Sequence, residues 1–279
     1  MVRYGNIVDN IAIKAIVIDH EENVYVIQET KSVFKVNPDQ GIELWDDTTL
    51  TVIEGAVLHP DGNRMVMFAR DSLLTQMDLS GGPATRWASV FTIADKETLT
   101  VRITTGDFDN QNNFYGGGSG TGLYRVNEGD AGGTPLGLYD DDNILYIHVY
   151  NGYLYILVNL YGTNSPHDRA IWKHSINSGI LGEAELVFDL ADGQSGIATA
   201  DVNTFAIMDN DNIFIGTDDG EAAILMFNPS DNSQDALYKN VIPSGCAMLR
   251  RGNDNYLYMI LSSDENNLLR IDPGSLATQ

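Results

Sequence analysis

Leu123-Tyr124-Arg125-Val126-Asn127 is an alternating apolar strand that closes on an amide and runs into a turn, and the same phrase recurs along the chain. Its other copies are Val33-Phe34-Lys35-Val36-Asn37, Leu74-Thr75-Gln76-Met77-Asp78, His174-Ser175-Ile176-Asn177, Leu225-Met226-Phe227-Asn228 and Leu268-Leu269-Arg270-Ile271-Asp272. The closing residues lie 41, 49, 50, 51 and 44 apart, a mean of about 47. That period matches the ~40–50 residues of a four-stranded propeller blade. A polar turn feeding an aromatic or aliphatic strand precedes each copy: Asn23-Val24-Tyr25, Asn63-Arg64-Met65, Asn113-Phe114-Tyr115, Gly152-Tyr153-Leu154, Asn212-Ile213-Phe214 and Asn255-Tyr256-Leu257. Asp61-Gly62 and Asn151-Gly152 supply the clearest hairpin chemistry.

Each unit therefore holds an inner strand a, a hairpin of b and c, and an outer strand d. Outer strands read at Ile42–Trp45, Thr85–Phe91, Pro135–Tyr139, Glu185–Phe188 and Ala236–Asn240, which makes five. After Asp272 only seven residues remain, whereas Arg3-Tyr4-Gly5-Asn6-Ile7-Val8 resembles Leu237-Tyr238-Lys239-Asn240-Val241-Ile242. The N-terminus is expected to supply the sixth outer strand, which also removes an exposed sheet edge. The expected fold is all-β, a six-bladed β-propeller in one domain. Its blades fall at about 11–45, 50–91, 99–139, 143–188, 197–240, and 244–272 plus 3–8. A sandwich does not explain the period, and a solenoid does not need exchange between the termini.

The chain carries 39 Asp and Glu against 16 Lys and Arg, a formal charge of −23. A stand-alone nucleic-acid binder is excluded, since phosphate recognition needs clustered Lys and Arg. The one cysteine, Cys246, closes no intrachain disulfide and has no zinc-ligand spacing around it. No signal-peptide core opens the sequence, and no apolar run approaches the ~18 residues of a membrane helix. The expectation is a monomer without membrane insertion, extracellular or periplasmic once a targeting segment has been trimmed.

Leu58-His59-Pro60-Asp61-Gly62-Asn63-Arg64-Met65-Val66-Met67-Phe68 resembles the strand-turn-strand unit of NHL-like, TolB-like and gluconolactonase-like six-bladed propellers. Gly106–Tyr115 followed by Leu123–Asn127 is similar to bacterial extracellular propeller repeats. The resemblance spans the whole chain as architecture and implies a superfold, hence no particular chemistry.

Counting back nine residues from each polar turn gives Lys14, Glu54, Thr104, Asn203 and Cys246. Counting back eleven gives Ala12, Val52, Arg102, Asp201 and Ser244, with Asn143 reaching this level in blade 4. Alternation lets both layers face a central channel, so Lys14, Glu54, Arg102, Asn143, Asp201, Asn203 and Ser244 are candidate ligand-binding residues. Equally, these charges could serve only to neutralise one another. Similarity of Ile53-Glu54-Gly55-Ala56-Val57 to the Glu-Gly-Pro motif of gluconolactonase-like propellers implies calcium on Glu54, Asn143 and Asp201. Ala56 in place of the proline, Ser244 or Cys246 where a catalytic carboxylate would stand, and the cations Lys14 and Arg102 depart from that pattern.

Asp107, Asp109, Gln111 and Asn113 alternate like the start of an EF-hand loop, but its glycine and bidentate glutamate are missing, so a hairpin is expected. Asp209-Asn210-Asp211-Asn212 is read the same way. Blade 4 carries a long loop between its b and c strands offering Tyr161, His167 and Arg169 as binding residues. The leading functional expectation is a non-enzymatic recognition module for a protein, peptide or glycan, without catalytic residues or cofactor. The alternative is a calcium-dependent lactonase-like hydrolase.

Overall fold

The computed structural model describes residues 2–6, 13–29, 32–36, 42–47, 52–69, 73–89, 102–160, 169–190, 201–237, 244–262 and 267–273. They form six antiparallel sheets. Blade 1 is Ile13–Ile18, Val24–Gln28, Ser32–Val36 and Ile42–Asp47, and blade 2 is Ile53–Leu58, Arg64–Ala69, Leu73–Asp78 and Thr85–Ser89. Blade 3 is Thr105–Phe108, Phe114–Gly118, Gly122–Val126 and Thr134–Pro135. In blade 4, Asp142–Tyr150, Tyr153–Leu160 and Ala170–Asn177 are followed by Ile180–Leu181 and Glu185–Asp189, both of which pair with Ala170–Asn177. Blade 5 is Val202–Ile207, Ile213–Thr217, Ile224–Asn228 and Ser233–Leu237. Blade 6 takes Cys246–Arg251, Leu257–Leu261 and Asn267–Ile271 from the C-terminal end and Val2–Asn6 from the other.

The terminal exchange expected from the sequence is present: Val2 pairs with Arg270, Arg3 with Leu269, Gly5 with Leu268 and Asn6 with Asn267. Each inner strand also contacts the next around the ring, and blade 6 returns to blade 1. Buried side chains fill the seams between blades: Val66, Phe68, Ile103, Phe108 and Phe114 join blades 2 and 3 in one apolar cluster.

Two outer strands differ from expectation for local reasons. In blade 3 the ladder is only Thr134–Pro135, because Gly137 and Tyr139 turn to positive φ (64° and 60°) and break its regularity, while the Leu136 amide and Leu138 carbonyl still bond the Leu123 backbone at 2.9 Å. The Tyr139 phenol instead reaches His174 Nε2 at 2.7 Å, and burial pushes its pKa up. In blade 5 the outer strand starts at Ser233 rather than Ala236. Asn228 Oδ1 there accepts both the Ser230 amide (3.0 Å) and hydroxyl (2.7 Å), and Asp231 Oδ1 accepts the Ser233 amide at 2.9 Å where the strand begins. Residues 238–240, expected in that strand, lie outside the described residues.

Strand a lies innermost, so ab and cd turns open on one face of the disc, and bc and da connections on the other.

Candidate functional site

The inner strands of blades 1, 2, 4, 5 and 6 each skip one residue in their pairing, at Lys14, Glu54, Leu145, Asn203 and Ala247. Thr104 holds the corresponding place in blade 3, its amide donating to Gly117 O at 3.0 Å. Such bulges re-aim side chains. Lys14, Thr104, Leu145, Asn203, Ala247 and Arg250 line a central channel of about 210 Å³.

This ring corrects one sequence assignment and adds a residue. Asn143 stands two residues before the bulge, at the level expected for it beside Arg102 and Asp201, pairing with Asn159 and bridging to Ser119, and it is not part of the channel lining. The count named no bulge residue for blade 4, which presents Leu145 to the channel. In blade 6 the ring position falls on Ala247, and Cys246 packs fully buried between blades 5 and 6, where burial pushes its thiol pKa up. Ser244 is half-buried, and Asp201 is exposed, its amide bonded to Asp218 Oδ1 at 2.7 Å. Asn203 Nδ2 donates to Cys246 O at 3.5 Å. Tyr161 and His167 lie outside the described residues, while Arg169 is half-buried with φ 61° just before blade 4's third strand.

Glu54 is 4% exposed and faces cations: Arg102 Nη2 bonds its Oε2, and Lys14 Nζ lies 3.8 Å away and 3.7 Å from Glu29. A divalent ion would have to displace this pairing, and two adjacent cations oppose it. Among the described residues no group of three or more His, Cys, Asp or Glu is arranged to hold a metal. The residues implied by the lactonase resemblance therefore do not fit calcium. Thermal melts in excess calcium and in EDTA are expected to coincide; a rise of several degrees with calcium would contradict this assignment.

The ab turns share one construction. In blades 1 and 3, Asp19 and Asp109 each accept two backbone amides on Oδ1, from Glu21 and Asn23 and from Gln111 and Asn113. Their Oδ2 atoms accept Asn23 and Asn113 Nδ2, all at 2.8 Å, and the Tyr25 and Tyr115 hydroxyls at 3.3 Å. The EF-hand-like stretch is thus the hairpin expected, with its carboxylate spent inside the turn. Asp209 pairs with Arg251 at 2.6 Å, and Asn210 Oδ1 accepts the Asn212 amide at 3.2 Å, so that stretch is a turn as well.

Blade 2 uses His59 at the same position. It is buried, with Asp61 Oδ2 3.0 Å from Nδ1 and Arg64 Nη2 3.0 Å from Nε2, while Arg64 reaches Glu128 of blade 3 at 2.8 Å. Burial, reinforced by Arg64, holds the His59 pKa below its ordinary 6.5. The folded protein therefore binds fewer protons here than the unfolded chain, and stability present above pH 6.5 is lost as pH falls through the folded value. Melting temperature against pH is expected to fall less steeply between pH 7 and 5 in His59→Gln, and an identical slope would contradict the assignment.

Three residues beyond each bulge the inner strands form a second ring, made of Val17, Val57, Asp107, His148, Ala206 and Arg250. Its polar members build the mouth on the ab face. Asp107 Oδ2 accepts His148 Nδ1 and the Val149 amide, both at 2.8 Å, and Oδ1 accepts the Phe108 amide at 2.9 Å. The carboxylate fixes a ring proton on Nδ1 and with it the orientation of the imidazole. His148 stacks on Tyr150 (6.3 Å, 24°), whose hydroxyl donates to Met208 O at 3.2 Å. Arg250 lies over the Tyr146 ring at 4.4 Å, and burial pulls its pKa down to about 10, still charged at neutral pH. His148 borders two adjoining cavities, of about 490 Å³ and 280 Å³. The smaller shares Tyr146 and Arg250 with the channel, so the two adjoin at these side chains. Chemically this vestibule offers aromatic faces, an imidazole and a guanidinium. Ser178 lines the larger cavity without a hydrogen bond to His148.

Counting for the da and bc face missed Asp107, His148 and Arg250 as a set. The available signal was the bulge-plus-three ring, together with Arg250-Arg251, the single adjacent pair of basic residues in the chain.

No family model matches the chain, and no curated protein matches it. Solved structures do. A Bacteroides thetaiotaomicron protein of unknown function superposes with TM-score 0.71 at 11% identity, over 96% of this chain and 74% of its own. An auxiliary nutrient binding protein from the same organism gives 0.65 at 10%, over 92% and 68%. YCF48 bound to a D1 peptide gives 0.59 at 11%, over 94% and 77%. Identities this low carry the fold alone, and with the six sheets they make the chain a six-bladed β-propeller.

Proposed function

We propose that the protein is a non-enzymatic recognition module, a propeller disc that takes a protein, peptide or glycan on its ab face and works as a monomer outside the cytoplasm. One observation carries the reading: the vestibule, where Tyr146, His148 and Tyr150 stand beside Arg250 and Arg251 above an open channel. Rigid aromatic faces next to guanidinium groups are the anchors that concentrate binding energy in recognition sites. Tyr150 is tied to Met208 and His148 to Asp107, so little side-chain order remains to be gained on binding. Two of the solved neighbours, one bound to a peptide and one that binds nutrients, support a binding role by likeness of fold. The lactonase alternative loses its support with the pairing of Glu54 to Lys14 and Arg102.

Peptide and glycan arrays probed with the wild type and with a His148→Ala/Tyr150→Ala variant test the proposal. Ligands bound by the wild type are expected to bind the variant at least ten-fold more weakly. Equal binding by the two proteins, or lactone turnover by a wild type that binds nothing, would overturn it.

A further inference from the structure

The chain has 39 acidic residues, yet among the described residues none of them lines the channel, where Lys14 and Arg250 are the charged groups. Lys14 shares its charge with Glu29 and Glu54. Arg250 differs. A guanidinium brings five N–H donors, and among the described residues those of Arg250 meet no hydrogen-bond acceptor; its one close partner is the π face of Tyr146. The carboxylate that acts on it electrostatically, Asp107, is committed to His148 and two backbone amides. The side chain is half-buried and its donors open on the channel, so an acceptor on a ligand completes this site in place of solvent.

We propose that the channel seats a carboxylate group of the ligand, held by the Arg250 fork, with Lys14, Thr104 and Asn203 on the surrounding walls. This deepens the recognition reading above and rests on it. A carboxylate suits the site in shape and charge. The planar fork matches a planar two-oxygen anion, and Arg250 is the channel cation without an ion pair, which calls for a monoanion. About 210 Å³ admits a small acid or the acidic end of a chain, entering past Tyr146 from the vestibule.

Isothermal titration with four probes tests it: glucuronate against glucose, and Ala-Ala-Ala against its C-terminal amide. At least one acid is expected to bind while its neutral counterpart does not, and which one binds identifies a sugar acid or a peptide terminus as the source. Arg250→Met is expected to weaken that binding at least ten-fold. Glu54→Gln, which removes a negative charge beside Lys14, is expected to strengthen it about three-fold, an outcome that a damaged fold would not give and that keeps the test decisive should Arg250→Met fold poorly. Absence of binding by both acids at 10 mM, or Glu54→Gln weakening it, would overturn the carboxylate seat. An array ligand sensitive to Tyr150→Ala but indifferent to Arg250→Met would overturn the seat while leaving the vestibule reading intact. Indifference to both would overturn both.

Discussion

Deletion of residues 1–6 is expected to lower the melting temperature by roughly 5–15 °C, equivalent to about 3–5 kcal/mol. Val2–Asn6 is the outer strand of blade 6, paired along Asn267–Ile271. Without it that strand becomes an edge, and the buried side chains of Leu268, Leu269 and Ile271 lose cover on one side. The link between the first and last segments of the chain goes with it, so the ring is held closed by the seam between blades 6 and 1, where Ile16, Val24, Val26 and Val36 pack with Tyr258, Ile260 and Leu268. Scanning calorimetry reads the loss directly. A new edge also invites pairing between molecules, so the truncated protein should elute early in size-exclusion chromatography. A melt unchanged within a degree would contradict the closure.

The second large effect is expected from Asp109→Ala. This carboxylate is 3% exposed and satisfies two backbone amides, the Asn113 amide group and the Tyr115 hydroxyl. Tyr115 is itself fully buried. Removing the acceptor leaves several donors without partners inside the protein, a cost of about 3 kcal/mol, or roughly 5–10 °C. Asp19→Ala should cost nearly the same, because Asp19 makes the same four contacts at matching distances. Thermal melts of the two variants therefore form a paired test. Near-neutral substitution at either position would mean that these turns are organised by their backbones alone.

The repeat was legible because each blade ends its third strand on Asn or Asp and opens its second after a polar turn. The terminal exchange was legible because Arg3-Tyr4-Gly5-Asn6-Ile7-Val8 resembles Leu237-Tyr238-Lys239-Asn240-Val241-Ile242, which begins in the outer strand of blade 5. The bulge ring was legible in blades 1, 2, 3 and 5, where a count of nine from the asparagine of the ab turn lands on Lys14, Glu54, Thr104 and Asn203; of these Lys14, Thr104 and Asn203 line the channel. In blade 6, Tyr256 stands where the others have that asparagine, so counting from Asn255 fell one residue short, on Cys246 instead of Ala247. In blade 4 the turn Asn151-Gly152, with φ of 49° and 77°, joins strands that pair up to Tyr150 and Tyr153; the count placed Asn143 at its level two residues before the bulge and named no residue for the bulge itself, Leu145. Bulges follow from pairing between strands, which a single segment does not reveal. Asp107, His148 and Arg250 were missed for the same reason, since their shared level appears only once every bulge is placed.

Hydrogen–deuterium exchange of the wild type, with and without a saturating ligand selected on the arrays, tests most directly the claim that recognition occurs on the ab face. The account predicts that ligand slows exchange at Asp107–Asn113, His148–Gly152 and Arg250–Asn255, and leaves the bc connections Gly118–Gly122 and Asp218–Ala222 unchanged. Protection confined to those bc connections would contradict it.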